Sequence, residues 1–387
     1  MMFATPHVGR SAGRVRSARF VARIAIVLVA LLAVCPTNLI SAGELSAEQR
    51  ETIDAAVEQL MQEKKVPGLS LAVAVDGELA YERGYGLTDV ENNVAATPQS
   101  VYRLASISKM LTGTAAMQLV EQGKLDLDAP IQKYVPTFPE KRGTITAELL
   151  LKHQSGIRHY KGDEVRSAVF YNRVGDALAI FQDDPLMFEP GDRFLYTTYG
   201  FNLLGTAIEG ASGESYVDYV TEHVFKPAGI TTIQPDNPYK IIPNRAAGYR
   251  MHGFGASATL RNDDRVDVTN KIPGGGWCGT SGDLVRFAIA ICDGKLLRPA
   301  TLEEVWTPQK TADGRQTTSG LGCFVLDRDG QRRIYHSGGQ PKVSTFLVFA
   351  PEEKAAVALM CNLRRAGLSD LANQLLDELA PPDSEAD

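Results

Sequence analysis

Residues 104–120 read Leu-Ala-Ser-Ile-Ser-Lys-Met-Leu-Thr-Gly-Thr-Ala-Ala-Met-Gln-Leu-Val, and Lys109 is the only charge among them. An uncharged stretch of this length predicts a buried helix. Ser106 and Lys109 are three apart and so share one helix face. That sets a hydroxyl beside an amine, the pairing an activated nucleophile needs. A lone lysine on a buried helix is costly unless it is paired or neutral, and costly groups kept in a core are candidates for function. Ser-x-x-Lys alone is a weak signal in a chain of this size. It also fits an N-cap serine followed by a snorkelling lysine, so the reading depends on what surrounds it.

On the N-terminal side, Ser46-Ala-Glu-Gln49 is a capping box opening a helix with Ile53, Val57, Leu60 and Met61 on one face. Strands are expected at about 69–75 and 79–84, joined at Asp76-Gly77, a hairpin signal. The Ser106 helix ends near Gly123. From about 124 to 275 the chain reads mainly as helices and long loops, with an apolar run over 199–210 and helical spacing over 212–225. A short helix over 281–292 then precedes candidate strands at 322–326, 333–337, 345–350 and 355–361. Asp329-Gly330 and Pro351-Glu352 mark turns, and a last helix covers 369–379. The acidic tail, 381–387, has a composition that favours disorder.

Strands at both ends and helices between them predict an α/β (α+β) fold: one antiparallel sheet closed from the early hairpin and the late strands, flanked by helices. The expected catalytic domain spans 44–380, with a sheet part at about 44–105 and 276–380 and an inserted helical part at about 106–275. A cleft would lie between them, and Ser106 sits where the chain leaves one for the other.

The 387 residues, 44% hydrophobic and 22% charged, have ordinary globular composition and ample length for a core. Residues 1–42 resemble a targeting segment. Arg10, Arg14, Arg16, Arg19 and Arg23 precede an apolar run, 24–34, and Ser41-Ala42 offers a small-residue exit. This predicts a secretory signal peptide, hence a periplasmic or extracellular protein. A mitochondrial transit peptide or an uncleaved membrane tether are the alternatives. Without the segment, 35 basic residues face 46 acidic ones, a net charge of −11, which argues against nucleic acid as a partner. A small-molecule or peptide substrate is expected. Cys278, Cys292, Cys323 and Cys361 show no zinc-like spacing and are expected as buried free thiols. The histidines include no HExxH, and His153 and His159 lack ligand-like spacing, so no metal or other cofactor is expected. Gly274-Gly-Gly276 is followed by no Gly-Lys-Ser/Thr and reads as a turn rather than a phosphate loop.

Two further segments decide the chemistry. In 190–205, Tyr196-Thr-Thr198 lies in a polar loop just before an apolar helix. In 335–339, Tyr-His-Ser-Gly-Gly ends a predicted strand. Read singly, they are a packing aromatic and a strand followed by a glycine turn. With Ser106-Ile-Ser-Lys109 they resemble the serine β-lactamase and penicillin-binding protein superfamily, whose order is Ser-x-x-Lys, Tyr-x-Asn, then Lys-Thr-Gly or His-x-Gly. Lys124 to Pro130 and Leu150 to Gly156 look like further landmarks. The likeness covers about Glu48 to Leu379 and is nearest to the mitochondrial serine β-lactamase-like proteins. The resemblance implies Ser106 as nucleophile, Lys109 and Tyr196 as its proton handlers, and His336, Gly338, Gly339 and Thr198 around the oxyanion and substrate. Two positions depart from the pattern. Thr198 stands where much of the family has Asn and so loses a paired donor and acceptor. His336 stands where classical members have Lys. Both favour a peptidase, amidase or esterase over a strong β-lactamase. A substrate-holding His336 would titrate near ~6.5 if unshifted. An ordinary lysine, pKa ~10.4, is neutral about once in 2,500 at pH 7. Either Lys109 must therefore be brought down or Tyr196 must act as a phenolate, and the sequence leaves both open.

Overall fold

The computed structural model describes residues 43–253 and 255–381. The expected targeting segment over 1–42 and nearly all of the acidic tail lie outside the described residues. After helix α1 (Ala47–Lys64) come strands β1 (Gly68–Val75), β2 (Glu78–Asp89) and β3 (Val94–Ala95). Helices α2 (Ser108–Glu121), α3 (Thr198–Ser212) and α4 (Ser281–Cys292) lead to β4 (Phe324–Arg328), β5 (Gln331–Gln340), β6 (Val343–Ala350) and β7 (Ala355–Cys361), and α5 (Ser369–Leu379) closes the chain.

The seven strands form one sheet in the order β3-β2-β1-β7-β6-β5-β4. Its centre joins the two ends of the chain: β1 pairs antiparallel with β7, Leu69 opposite Cys361 and Ala74 opposite Ala356. The hairpin turn works as its sequence suggests. Asp76 and Gly77 have φ of 53° and 79°, the pair of positive values a type I′ turn requires. The period-2 alternation of β1 sorts its side chains between two cores. Leu69, Leu71 and Val73 pack with Ile53 and Val57 of α1 and Leu371, Leu375 and Leu376 of α5. Ala72 and Ala74 face the other way, into the larger core that holds α2, α3 and α4. Small residues there leave room for helices against the sheet. The α1 capping box is complete, with Gln49 N–H donating to Ser46 Oγ at 3.1 Å and Ser46 N–H to Gln49 Oε1 at 2.9 Å.

β2 and β5 run longer than the expected 79–84 and 333–337, and two further boundaries differ for visible reasons. β4 starts at Phe324 rather than 322. Gly322, at φ 87°, instead lies against α2, where a Cβ on it would sit 3.2 Å from the Gly113 Cα. The helix expected over 212–225 is broken at Gly213, which ends α3 in the left-handed region (φ 78°). It restarts at Tyr216 under a Ser215 cap and finishes as a wide π turn over Thr221–Phe225.

Candidate active site

Ser106 lies in a single 3-10 turn, Ala105–Ile107, that feeds directly into α2. Ala105, the residue before it, has a φ of 49°. A non-glycine residue held in that region stores strain that surrounding contacts must offset. Those contacts are visible. Ser108 Oγ–H donates to the Ala105 carbonyl at 2.6 Å, and Thr345 Oγ1–H on β6 donates to the Leu104 carbonyl at 2.9 Å. β5 crosses so close that a Cβ on Gly338 would fall 1.9 Å from Thr345 Oγ1 and 2.5 Å from the Leu104 oxygen. Only glycine permits that approach. The strand motif is thereby locked against the turn that presents the serine.

Lys109 follows one turn later and is fully buried, while Ser106 is half-buried. The Lys109 Nζ lies 3.2 Å from Ser106 Oγ, 3.4 Å from Thr198 Oγ1 and 2.6 Å from the Gly274 carbonyl. It also stands 4.8 Å from the centre of the Tyr196 ring and 5.6 Å from that of Phe201. No carboxylate joins it among the described residues. Burial, reinforced by the positive charge of Lys271, brings its pKa well below the ordinary lysine value. A neutral amine has two hydrogens and one lone pair. Two hydrogens for Gly274 O and Thr198 Oγ1, and a lone pair for the Ser106 hydroxyl, use all three contacts.

Tyr196, half-buried before α3, is perturbed the opposite way. Burial raises its phenol, while a hydrogen bond with the Ser106 hydroxyl pulls partly back. Ser106, Lys109 and Tyr196 are therefore brought together. Thr198, the first residue of α3, is buried with its hydroxyl shared between Lys109 and Tyr160. His336 is buried on β5, its ring 6.1 Å from Tyr196 and 5.1 Å from Phe324. Its Nδ1 is 2.7 Å from the Ser337 carbonyl, so the proton sits on Nδ1. Burial and Lys109 bring its pKa down to about 3. The unshifted value near ~6.5 therefore does not apply: desolvation keeps this imidazole neutral. Gly339 is exposed, with free space where a Cβ would be. β4 pairs with β5 only as far as Phe324 opposite Tyr335. Beyond it, His336–Gln340 has one edge without a strand partner among the described residues.

A beta-lactamase family profile matches residues 53–380. The chain belongs to the beta-lactamase family. The human mitochondrial serine beta-lactamase-like protein LACTB is 30% identical over 422 aligned positions, covering 81% of this chain and 76% of its own. Protein flp of Staphylococcus aureus strain MW2 is 26% identical and covers 86% and 66%. Among solved structures, the octameric penicillin-binding protein homologue from Pyrococcus abyssi superposes with a TM-score of 0.73 at 26% identity, covering 85% of this chain and 77% of that one. The D-amino acid amidase from Ochrobactrum anthropi SV3 reaches 0.75 over 87% and 100%, and at 21% identity it shows the shared fold.

Within this beta-lactamase-family frame, several site residues were not singled out by sequence. Gly274–Gly276, expected as a turn, instead ends a single α-helical turn, Ile272–Gly275, capped by Gly276, and is a wall of the site. Its Gly274 carbonyl takes the Lys109 amine, and a Cβ there would sit 2.6 Å from Thr198 Cγ2. His153 and His159 lie against Tyr196, with ring centroids at 4.5 and 5.7 Å. Each accepts a backbone N–H through Nδ1, from Thr197 at 3.2 Å and Thr198 at 3.1 Å. Burial and nearby Lys109 hold both neutral, with His159 down to about 4. Lys271 is a second buried amine, 4.6 Å from the Tyr160 ring centre and brought down to about 7 by burial and Arg103. The triple glycine was the only one of these with a local signal. The four cysteines among the described residues are free, as expected, and all but half-buried Cys292 are buried.

Proposed function

We propose that this chain is an exported serine hydrolase that cleaves a peptide amide or ester through an acyl-enzyme on Ser106. The observation that carries the reading is the Lys109 amine: buried, without a carboxylate partner among the described residues, and 3.2 Å from Ser106 Oγ. A desolvated neutral amine is a competent base near neutral pH. Tyr196, with its phenol raised, stays protonated and is the weaker candidate for that role.

In the proposed sequence, Lys109 Nζ takes the Ser106 proton as Oγ bonds to the substrate carbonyl carbon. The backbone N–H groups of Ser106 and Gly339 receive the developing oxyanion, each donor contributing roughly 2.7–4 kcal/mol. Tyr196 passes its phenolic proton to the departing nitrogen or oxygen as the carbonyl–leaving-group bond breaks, and Lys109 restores it. Water then enters and loses a proton to Lys109 as its oxygen bonds to the acyl carbon, and Lys109 returns that proton to Ser106 Oγ as the Oγ–acyl bond breaks and the acid leaves. An extended substrate can lie along the unpaired edge of β5 at His336–Gln340. Thr198 and the neutral His336 offer a substrate hydrogen bonds without a fixed charge.

A second reading, a β-lactamase or D-Ala-D-Ala carboxypeptidase, uses the same serine. It is disfavoured because His336 supplies no cation for a substrate carboxylate. A non-catalytic assembly protein of the same fold is disfavoured by the buried amine at the serine. The test is Ser106→Ala, assayed on p-nitrophenyl esters and amino-acid p-nitroanilides, with circular dichroism as the folding control. Turnover lost in a folded variant supports the assignment, and wild-type turnover overturns it. Export rests on the pattern of residues 1–42. N-terminal sequencing of the protein from an exported fraction should begin near residue 43.

A further inference from the structure

A second cavity has a volume of about 460 Å³. Its walls include none of Ser106, Lys109, Tyr196 and His336. Four basic side chains line it, Arg103, Arg245, Arg265 and Lys342, against two carboxylates, Asp236 and Asp267. The carboxylates are already engaged. Asp236 bridges Arg103 at 2.5 Å and Arg245 at 3.2 Å, and Asp267 accepts the Thr269 N–H at 2.7 Å.

That leaves two cations unpaired. Lys342 sits at the β5–β6 turn, half-buried, its φ of 82° fixed by a backbone N–H bond to Asp263 Oδ2 at 2.7 Å. Its ammonium has no ion-pair partner among the described residues. Asp236 and Asp263 offset only part of its burial and of the repulsion from Arg103 and Arg245. Arg265, exposed beside it, has no ion pair among the described residues either. In a chain whose formal net charge is −6, an uncompensated cluster of cations around a cavity is a local exception that attracts anions.

The rim is apolar. Tyr239 is 79% exposed, held edge-on against Phe170 with ring centroids 5.1 Å apart, and Val101, Ala168 and Val266 continue the wall. A large aromatic left in solvent at a cavity mouth suits a ligand with an apolar body.

We infer that this cavity binds a small organic anion, with a phosphate or carboxylate head between Lys342 and Arg265 and an apolar or aromatic body against Tyr239. Planar guanidinium and ammonium donors suit either head group. The site goes beyond the proposed hydrolysis and does not depend on it.

The test is calorimetric titration of the full-length protein with phenyl phosphate, with phenol and inorganic phosphate as the two half-ligands. Phenyl phosphate should bind with a Kd of about 1 mM or tighter, some −4 kcal/mol, and at least tenfold better than either half. Lys342→Met with Arg265→Ala should weaken it at least tenfold with thermal unfolding unchanged, while Ser106→Ala should leave it unchanged. Binding that survives the double variant, or that phenol matches, overturns the inference. So does loss of binding in Ser106→Ala, which would place the ligand in the catalytic site. Absence of binding also overturns it. Because the readout is binding, a failed hydrolase assignment leaves this result intact.

Discussion

Replacing Lys109 by Met separates its chemistry from its packing. Methionine keeps an unbranched chain of similar length and fits a core slot with little strain. It removes the lone pair facing Ser106 Oγ and the hydrogens facing Gly274 O and Thr198 Oγ1. The first loss acts on rate. A positioned base contributes about 10²- to 10⁴-fold, or roughly 2.7–5.5 kcal/mol of barrier. Tyr196, its phenol raised by burial, cannot replace it. The second loss acts on stability. A buried acceptor left without a donor costs about 1–3 kcal/mol, against which stands the relief of no longer burying an amine. The expectation is an acylation rate down at least 100-fold in a protein whose Tm moves by a few degrees. The assay is the pseudo-first-order rate of fluorophosphonate labelling, followed by intact mass. Lys109→Arg is the control. It keeps donors but remains protonated, so it should be equally slow. A Met variant within tenfold of wild type would refute the role of Lys109 as base.

Other outcomes follow from the same geometry. Tyr196→Phe keeps the ring beside Lys109 and loses the proton relay, so kcat on amides should fall about 10²-fold or more, measured by steady-state kinetics. Gly338→Ala forces β5 off the Ser106 turn. Overpacking of this kind costs about 1–3 kcal/mol, read as a lower urea midpoint together with lost activity. For pH, His336 at about 3 and His159 at about 4 are neutral throughout pH 5–8. Activity should therefore rise with pH as Lys109 and, acting on it, Lys271 lose their protons, and a fall through pH 6.5 would contradict that. Lys271, at 10.5 unfolded and about 7 folded, binds its proton in the unfolded chain but not in the folded one between those values. Stability should then rise with pH across that window by up to about 1.4 kcal/mol per pH unit. Lys271→Met should lack that slope in denaturant titrations.

The framework of the fold was legible because it is written in local periodicity. The α4 and α5 helices and β7 fall where apolar spacing placed them, and the Asp76-Gly77 turn adopts the conformation its residues favour. The serine and lysine were legible because a lone charge in an apolar helix is costly wherever the fold puts it. The rest of the site depends on closure between distant segments. His153 and His159 come from loops and Lys271 and Gly274 from short turns at the end of the helical part, and apart from the triple glycine nothing in their neighbourhoods marks them as facing Lys109. Thr198 read as a departure from a motif, and its contact with Lys109 shows it within the hydrogen-bond set of the amine. His336 is shifted well down because its ring is desolvated, which strand sequence does not reveal.

The most direct test is intact mass and peptide mapping of the full-length protein after separate exposure to a fluorophosphonate and to benzylpenicillin. The account predicts one fluorophosphonate adduct, mapped to Ser106 and absent from Ser106→Ala, with benzylpenicillin labelling the same serine weakly or not at all. A fluorophosphonate adduct on another residue, or none, would contradict it.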